Sequence, residues 1–363
     1  MTVGYWSPLP PAATGVADYS AALLPYLRAH GTIVTNAPGD VSLYHVGNNA
    51  LHREIYERAL REPGIVVIHD AVLQHFFLGS LTEQQYVDEF VYNYGEWSRG
   101  QALELWRERS RSGADARYFA RPMLKRIATS ARAIIVHNPA AAAIVRAHAP
   151  DTRIFEIPHL FVPPALPDNV EILRLRQSLG VIGRTLLIGT FGHQRETKRL
   201  GVLLRTFHRA LEQGANAKLL VSGEFVSSIY AQAMEPLLQH PNILRTGYLD
   251  ERDFWKYLAA TDLCVNLRYP SAAESSGVAV RMMGIGRAVA FTTDPAVVSF
   301  PEDACLRVDA GPAEEKMLTD YLVWLAEHPE AARQIGANAA RYIQQHHAPE
   351  LVAAAYWRAI NSR

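Results

Sequence analysis

Short runs of consecutive apolar residues alternate along the chain with longer segments of mixed polarity. In the first half these runs lie near residues 3–8, 40–47, 64–70, 131–138 and 153–159, and turn-forming residues bound them. Continuous apolar runs of this length are typical of strands that are covered on both faces, and the intervening segments have the spacing of helices. This alternation predicts a parallel sheet with helices on both sides.

A proline-rich segment, PHLFVPPALPDN at residues 158–169, interrupts the alternation. Proline fixes φ and lacks a donor, so this segment predicts a linker rather than a strand or helix. The strand and helix pattern then resumes, with strand-like runs such as TLLIGTFG, AKLLVSGE, LCVNLRYP and AVAFTT. We therefore predict two doubly wound domains, an N-terminal one at residues 1–165 and a C-terminal one at residues 170–347. The amphipathic segment at residues 348–363 is predicted as a final helix.

Composition narrows the function classes. The chain has 363 residues, 49% of them hydrophobic, which favours two domains with cores of their own. Lys+Arg and Asp+Glu both total 36, so no net charge attracts nucleic acid. The distant cysteines Cys264 and Cys305 favour a reduced, cytoplasmic protein. The sequence shows neither a signal-peptide pattern nor an apolar run long enough to span a membrane, so we expect a soluble protein.

Two facing sheets of this class predict a ligand in the cleft, because open α/β sheets bind ligands at the carboxyl ends of their strands. In the first half, Gly15 opens a helix after the first strand, where bare N–H groups and close backbone approach suit an anion. His69 and Asp70 follow another strand, and a histidine there can hydrogen-bond a ligand or transfer a proton. The alternatives are an ordinary loop glycine and a capping histidine. His45 and His159 also end strands and are weaker candidates.

In the second half, His193, Arg195, Lys198 and Arg199 follow the strand that ends in GTFG. Cations are disfavoured at a helix N-terminus by the macrodipole, so this cluster predicts a bound anion such as a diphosphate. A solvated cationic helix start is the alternative.

The segment YPSAAESSGVAVRMMGIGRAVAFTTD at residues 269–294 places one acid before a helix start. Ser275, Ser276 and Gly277 can offer hydroxyl and N–H donors to phosphate oxygens, and Glu274 can accept hydrogen bonds from sugar hydroxyls. A capping role for Glu274 is the alternative. The sequence contains no Walker pattern, no dinucleotide fingerprint, no Gly-x-Ser-x-Gly elbow and no metal-ligand spacing.

Several segments together resemble glycosyltransferase family 4, a group of retaining enzymes with the GT-B fold. They include SPLPPAATGVADYS, YHVGNN, VVIHD, GTFGHQRETKRLGVLLRTF, the long run from GYLDERDF to ESSG, and GIGRAVAFTTD, and they extend over nearly the whole chain. The resemblance implies two facing Rossmann-like domains with a cleft between them. It further implies that the acceptor binds the first domain, that the nucleotide binds the second, and that the final helix crosses back to the first.

The resemblance also implies roles for single residues. His69 resembles the family's histidine near the donor sugar, Gly15 the glycine that approaches the donor phosphates, and Lys198 the lysine that binds the diphosphate. Glu274 resembles the first glutamate of the Glu-x7-Glu motif. The remaining implied donor-binding residues are the phosphate-side residues Ser275, Ser276 and Gly277 and the base-side residues Tyr248 and Leu249.

Two positions depart from the family pattern. Met282 stands where the second glutamate of the motif is expected, and Met282 cannot accept from ribose hydroxyls; its neighbour Arg281 is a donor and is kept as a donor-binding candidate. His193 stands where the family usually has an arginine, so Arg195 is predicted as the phosphate ligand.

The implied activity is metal-independent transfer of a sugar, with retention, from a UDP- or GDP-sugar to a hydroxyl of a glycan, lipid-linked or secondary-metabolite acceptor. No cofactor beyond this co-substrate is expected. The alternatives are a sugar-nucleotide 2-epimerase of the same fold and a catalytically degenerate sugar-nucleotide sensor.

Residues 99–126 hold more arginine than acid, interleaved with aromatic side chains. One interpretation is that this segment binds an anionic acceptor or the inner face of a membrane. The other is a solvated helix face with its aromatic residues turned inward.

Overall fold

The apolar runs of the first half form the strands of one sheet in the computed structural model, which describes residues 1–12 and 14–362. All its pairings are parallel, in the order β2-β1-β3-β4-β5-β6. The strands are β1 Thr2–Trp6, β2 Thr32–Thr35, β3 Val41–Val46, β4 Ile65–Ile68, β5 Ala133–Val136 and β6 Ile154–Glu156. Every residue of β4 and β5 is buried, which explains why both strands are continuous apolar runs in the sequence.

Helices connect these strands and cover the sheet. They are α1 Gly15–Arg28, α2 Arg53–Arg61, α3 Gln74–Ser80, α4 Glu83–Tyr94, α5 Arg99–Arg107, α6 Ala116–Phe119, α7 Lys125–Ser130 and α8 Pro139–His148. The arginine-rich segment lies on α5 to α7. There Arg117 pairs with Asp115 and Glu104, and Arg126 pairs with Glu89. These pairs neutralise part of the positive charge, and contact with a membrane stays a prediction.

The proline-rich segment contains neither helix nor strand between residues 157 and 168. Helix α9, Asn169–Ser178, follows it directly, with Asp168 as its N-cap accepting from the Glu171 N–H at 2.7 Å. The sequence did not lead us to expect α9.

The second half forms another parallel sheet, in the order β12-β11-β10-β7-β8-β9. Its strands are β7 Leu186–Thr190, β8 Ala217–Ser222, β9 Ile243–Gly247, β10 Leu263–Asn266, β11 Ala288–Thr292 and β12 Leu306–Val308. Its helices are α10 Leu200–Glu212, α11 Ser228–Leu238, α12 Glu251–Ala260, α13 Gly277–Gly284, α14 Glu314–Glu327 and α15 Pro329–His346. Cys264 and Cys305 are buried and free.

The last helix, α16 Pro349–Asn361, packs against α1 at the other end of the chain. The Tyr356 and Tyr19 hydroxyls lie 2.8 Å apart, and the Trp357 indole N–H donates to the Leu27 carbonyl at 2.9 Å. The apolar side of α16 is therefore part of the core of the first half. Arg363, the end of the predicted final segment, lies outside the described residues. Among the helices described, none combines the length and apolar character needed to span a membrane.

Candidate functional site

The loops after β4 and β5 meet the loop after β10, so the carboxyl ends of both sheets face one another. The Ala71 N–H donates to the Ala272 carbonyl at 2.8 Å, and the Asn138 side-chain amide donates to the Ala273 carbonyl at 2.8 Å. Ala273 packs into the core of the first half and holds a φ of 53°, which costs a residue other than glycine of order 1 kcal/mol. The loop that carries Glu274 is therefore held in place by the other half of the chain.

Glu274 is held by its own loop and by a cation. One carboxylate oxygen accepts from the Ala272 N–H at 2.9 Å, and the other lies 3.4 Å from the Arg268 Nε. The N-cap of α13 is Ser276, whose hydroxyl accepts from the Ala279 N–H at 3.3 Å. The alternative of a capping role for Glu274 is therefore wrong.

Arg268 is a residue of this site that the sequence reasoning missed. It lies two residues beyond the end of β10. An arginine directly after a strand-like run was the sequence feature that could have identified it. Burial lowers its pKa, and Arg195 lowers it further, while Glu274 and Asp70 raise it. Among the described residues, the Nε and Nη1 atoms of Arg268 have no hydrogen-bond partner.

Lys198 is a buried cation at the carboxyl end of β7. It ends the 3₁₀ turn Glu196–Lys198, and its ammonium donates to the Phe191 carbonyl. Burial lowers its pKa well below the ordinary value, with Arg268 and Arg195 as further causes. No described carboxylate forms an ion pair with it. Three cations thus lie close together with few anions to balance them, which is unfavourable in the absence of an anionic ligand.

The other cations of this loop take different positions. His193 and Arg195 are exposed, whereas Arg199 turns away and pairs with Glu314 on α14. Arg199 therefore does not contribute to the predicted anion site. The loop itself is fixed by Gln194, whose side-chain amide donates to the Gly192 carbonyl at 2.9 Å and the Ser222 carbonyl at 3.0 Å.

On the opposite side of the cleft, His69 lies in a group of imidazoles. Its Nε2 is 2.9 Å from the Nδ1 of His45, and its ring is 5.1 Å from the ring of Tyr19. Burial, together with His137 and His45, lowers the pKa of His69 well below the ordinary value. The imidazole is thus neutral near pH 7 and can offer hydrogen bonds rather than charge.

Asp70 follows His69 after β4. The sequence pattern placed it at a strand end but predicted no role for it. Burial and the nearby Glu274 raise its pKa to about 6, against the lowering effect of the Asn48 N–H, which donates to it at 3.0 Å. Arg195 and Arg268 also lower it. A carboxyl group from the first half thus shares the cleft with the cations of the second.

Gly15 is the first residue of α1, after the N-cap Thr14, whose hydroxyl accepts from the Ala17 N–H at 3.1 Å. Gly15 is exposed at the cleft end of β1. Ala13, in the same loop, lies outside the described residues. The amide groups that open α1 and α13 therefore both follow strands at their carboxyl ends.

The side chains expected near the ribose and the base differ in their burial and in their contacts. Met282 is fully buried, so it does not face the cleft. The Arg281 guanidinium lies 5.6 Å from the ring of Phe254 and 5.7 Å from that of Trp255. Tyr248 is 75% exposed, and its N–H donates to a Glu224 oxygen at 3.0 Å, while Leu249 is half-buried.

Among the described residues, His, Cys, Asp and Glu side chains do not gather in groups of three or more that could hold a metal ion.

No family model matches the sequence, and no curated protein sequence is significantly similar to it. Solved structures match over the whole chain. Anabaena Alr3699/HepE, crystallised in complex with UDP-glucose, has a TM-score of 0.68 at 14% identity, with 100% of both chains covered. Sucrose-phosphate synthase from Thermosynechococcus elongatus has a TM-score of 0.66 at 16% identity, covering 99% of this chain and 98% of that one. WaaG, a glycosyltransferase involved in lipopolysaccharide biosynthesis, has a TM-score of 0.60 at 16% identity, covering 97% and 98%.

These likenesses confirm the predicted fold class, an α/β protein with two facing Rossmann-like parallel-sheet halves of the GT-B type.

Proposed function

We propose that the protein is a retaining glycosyltransferase that moves a sugar from a nucleoside diphosphate donor to an acceptor hydroxyl without a metal ion. The observation that carries the proposal is the buried Lys198 ammonium, which has Arg268 and Arg195 nearby and no described carboxylate as an ion-pair partner. A diphosphate would supply the missing negative charge. The crystallised complex of Anabaena HepE with UDP-glucose, in a protein of the same fold, supports this choice of ligand.

In this proposal the diphosphate lies between the loop after β7 and the start of α13. Lys198 and Arg195 bind its oxygens together with the N–H groups of Ser276 and Gly277. The first residues of α1, including Gly15, approach from the other half. Tyr248 and Leu249 contact the base, and Arg281 lies near the ribose, whereas Met282 faces the core.

The chemical step breaks the bond between the anomeric carbon and the β-phosphate oxygen. The electron pair of that bond leaves with the nucleoside diphosphate, and the sugar passes through an oxocarbenium-like state. Lys198 and Arg195 stabilise the charge that develops on the oxygen, which is preorganised electrostatic catalysis. The acceptor hydroxyl attacks from the same face and gives its proton to the departing phosphate. His69 and Glu274 position the transferred sugar through hydrogen bonds.

The cytosol is the expected site of this reaction, where the free thiols of Cys264 and Cys305 stay reduced. The acceptor class is a sugar or a sugar-like hydroxyl compound.

The test is donor binding and turnover in Lys198→Met. We measure binding of UDP, GDP, ADP and their sugars by calorimetry, and transfer by release of nucleoside diphosphate, with product configuration read by NMR. Losing one charge-assisted contact is expected to weaken donor binding about 10- to 100-fold and to lower kcat about 100-fold.

The stability of Lys198→Met distinguishes a role of Lys198 in donor binding from a role in the fold. Methionine replaces an unpaired buried cation with an apolar chain of similar length, so Lys198→Met is expected to fold at least as stably as the wild type. The control is Lys316→Met, at an exposed lysine paired with Asp320 on α14. Unchanged donor binding in Lys198→Met would sink the proposal, and conversion of the donor alone into an epimer would favour the epimerase instead.

A further inference from the structure

A separate cavity of about 430 Å³ lies beside the Glu274 loop, on the side of the linker and α16. The ends of β5, β10 and β11 line it, together with residues of α15 and α16. Glu274, Ser275 and Ser276 form part of its wall, whereas Lys198, Arg195 and His69 do not line it. The cavity therefore adjoins the proposed diphosphate site through Glu274 and Ser276 and extends away from it toward α16. Its volume falls within the roughly 300–1,000 Å³ of small-molecule pockets.

Three side chains in its wall carry polar atoms without a hydrogen-bond partner among the described residues. They are the Nε2 of His137, the Oδ1 of Asn266 and the Nη1 of Arg268. His137 is 8% exposed and Asn266 is 6% exposed. Leaving such a group unpaired costs about 1–3 kcal/mol, so atoms of this kind indicate a ligand that completes their bonds.

The atoms define what that ligand must offer. The Nδ1 of His137 is 2.9 Å from the Ile157 carbonyl, so Nδ1 carries the proton and Nε2 is an acceptor. Asn266 Oδ1 is a second acceptor, and Arg268 supplies donors. A hydroxyl group can donate to the first two and accept from the third. A ligand with several hydroxyl groups on a small frame fits all of them.

The charge around the cavity does not favour an anion. Arg268 and Arg358 are matched by three carboxylates, which are those of Glu156, Glu274 and Asp294. Burial lowers the pKa of His137 and of His347 to about 4 and that of His159 well below the ordinary value, so these imidazoles are neutral. Phe291 and Phe300, whose rings stack at 5.4 Å, add an apolar wall that suits the C–H face of a sugar ring.

We propose that this cavity binds an uncharged saccharide acceptor, which reaches the anomeric centre past Glu274 from the side of the linker. The inference rests on the proposed glycosyl transfer, and it narrows the acceptor to a neutral sugar. The acceptor's hydroxyls bond to His137, Asn266 and Arg268, and one hydroxyl points toward Glu274 and the donor.

The first experiment measures binding of methyl glycosides of glucose, galactose, mannose and N-acetylglucosamine to the wild-type chain by saturation-transfer NMR. At least one is expected to bind, and to bind also in the presence of UDP. Methyl glucuronide and glucose 6-phosphate are expected to bind no better than the neutral glycosides. Absence of glycoside binding, or preference for the charged sugars, overturns the inference.

Two variants locate the binding. Asn266→Leu keeps the branched shape of the side chain and removes the unpaired oxygen. It is expected to raise the free energy of unfolding and to weaken glycoside binding about tenfold or more, while UDP binding stays unchanged. Ala355→Phe narrows the cavity from α16 and is expected to abolish glycoside binding. Ala354→Phe, at the neighbouring position outside the cavity, is its control.

The possible outcomes distinguish a failure of this inference from a failure of the proposed function. Nucleotide binding without any glycoside binding overturns the cavity assignment alone. Glycoside binding without any nucleotide binding overturns glycosyl transfer. Displacement of the glycoside by a nucleotide sugar, but not by the free nucleotide, assigns the cavity to the donor sugar and contradicts the acceptor site.

Discussion

Gly15 raises the question of why the first residue of α1 should be glycine. Its φ lies outside the left-handed region, and no described heavy atom beyond its chain neighbours and the backbone of its own helix lies within 4 Å of the position that a Cβ would occupy. The protein's own packing therefore does not require glycine. A ligand that approaches this backbone closely would require it.

We therefore expect Gly15→Ala to fold as stably as the wild type or more stably, by up to about 1 kcal/mol, because alanine is the better helix former. Donor binding is expected to fall about tenfold or more, since the added methyl group occupies the space of the diphosphate. Urea denaturation and calorimetric titration with the preferred nucleotide sugar measure the two quantities.

The control for Gly15→Ala is Gly100→Ala. Gly100 is the second residue of α5 and also has open space at the Cβ position, but it lies in the arginine-rich segment. It is expected to gain stability without losing donor affinity. Equal donor affinity in all three proteins would contradict the proposed approach of the diphosphate to α1.

At this scale the sequence indicates which residues lie at strand ends, but not which side chains meet. Lys198 and Glu274 could be chosen because strand-end positions are visible in the pattern. The pairing of Arg199 with Glu314 could not, since it joins residues 115 positions apart. The neighbourhood of Asp70 and Arg268 likewise depends on contact between the two halves.

The loop after β10 is the element whose conformation depends most on the other half of the chain. Asn138 joins the two. Its Oδ1 accepts from the Ala141 N–H at 2.9 Å as the N-cap of α8, and its amide donates to the Ala273 carbonyl at 2.8 Å and the Ser275 hydroxyl at 3.1 Å. One side chain thus starts a helix of the first half and holds the loop that carries Glu274.

Asn138→Asp separates these two tasks. The carboxylate still caps α8, but it can no longer donate to the Ala273 carbonyl and repels that oxygen. We expect the stability to fall by about 1–3 kcal/mol, because a buried carboxylate then faces a carbonyl oxygen. We expect kcat/KM to fall about tenfold, because Glu274 is no longer held at the transferred sugar. Stability is measured by denaturation and kcat/KM by release of nucleoside diphosphate.

Asp168→Ala is the matched control, since it removes the N-cap of α9 without touching the loop. It is expected to lose about 1 kcal/mol of stability and to keep its kcat/KM. If Asn138→Asp turned over the donor as fast as the wild type, the loop would not need this tether.

Elements with a strong pattern could be predicted, and those that depend on tertiary contacts could not. The fully buried strands β4, β5, β7 and β10 were visible as apolar runs bounded by turns. Helix α9 was not, because it follows the proline-rich linker directly and buries only Leu175 fully. Met282 shows the same limit, since a departure in a motif does not reveal that the side chain faces the core.

At the scale of the whole molecule, Tyr19 on α1 contacts residues that are far apart in the sequence. Its ring lies 5.1 Å from that of His69 after β4, 5.1 Å from that of His137 after β5 and 4.7 Å from that of His159 in the linker. Its hydroxyl contacts Tyr356 on α16. The first sheet, the linker and the last helix are therefore tied together by aromatic and imidazole rings that burial keeps neutral.

This arrangement makes the stability depend on pH. Burial lowers the pKa of seven histidines below the ordinary value of 6.5, to about 4 for His137 and His347; the others are His45, His52, His69, His75 and His159. Such a group binds its proton more weakly in the folded than in the unfolded protein. Its contribution to stability is complete above pH 6.5 and is lost as the pH falls from 6.5 toward 4. Burial raises the pKa of three carboxyl groups, Asp18, Glu89 and Asp70, to about 6 for Asp70; they act in the opposite direction but are three groups against seven.

We therefore expect the free energy of unfolding to fall between pH 7 and pH 5, with His137 and His347 each contributing on the order of 1 kcal/mol. Urea denaturation at half-unit steps of pH measures the slope. His137→Asn removes one titrating ring and is expected to make the slope smaller, and the exposed His328→Asn serves as the control for loss of a histidine. A stability that stays constant from pH 7 to pH 5 would mean that water reaches these imidazoles, and that the linker and α16 pack on the first half more loosely than the contacts of Tyr19 require.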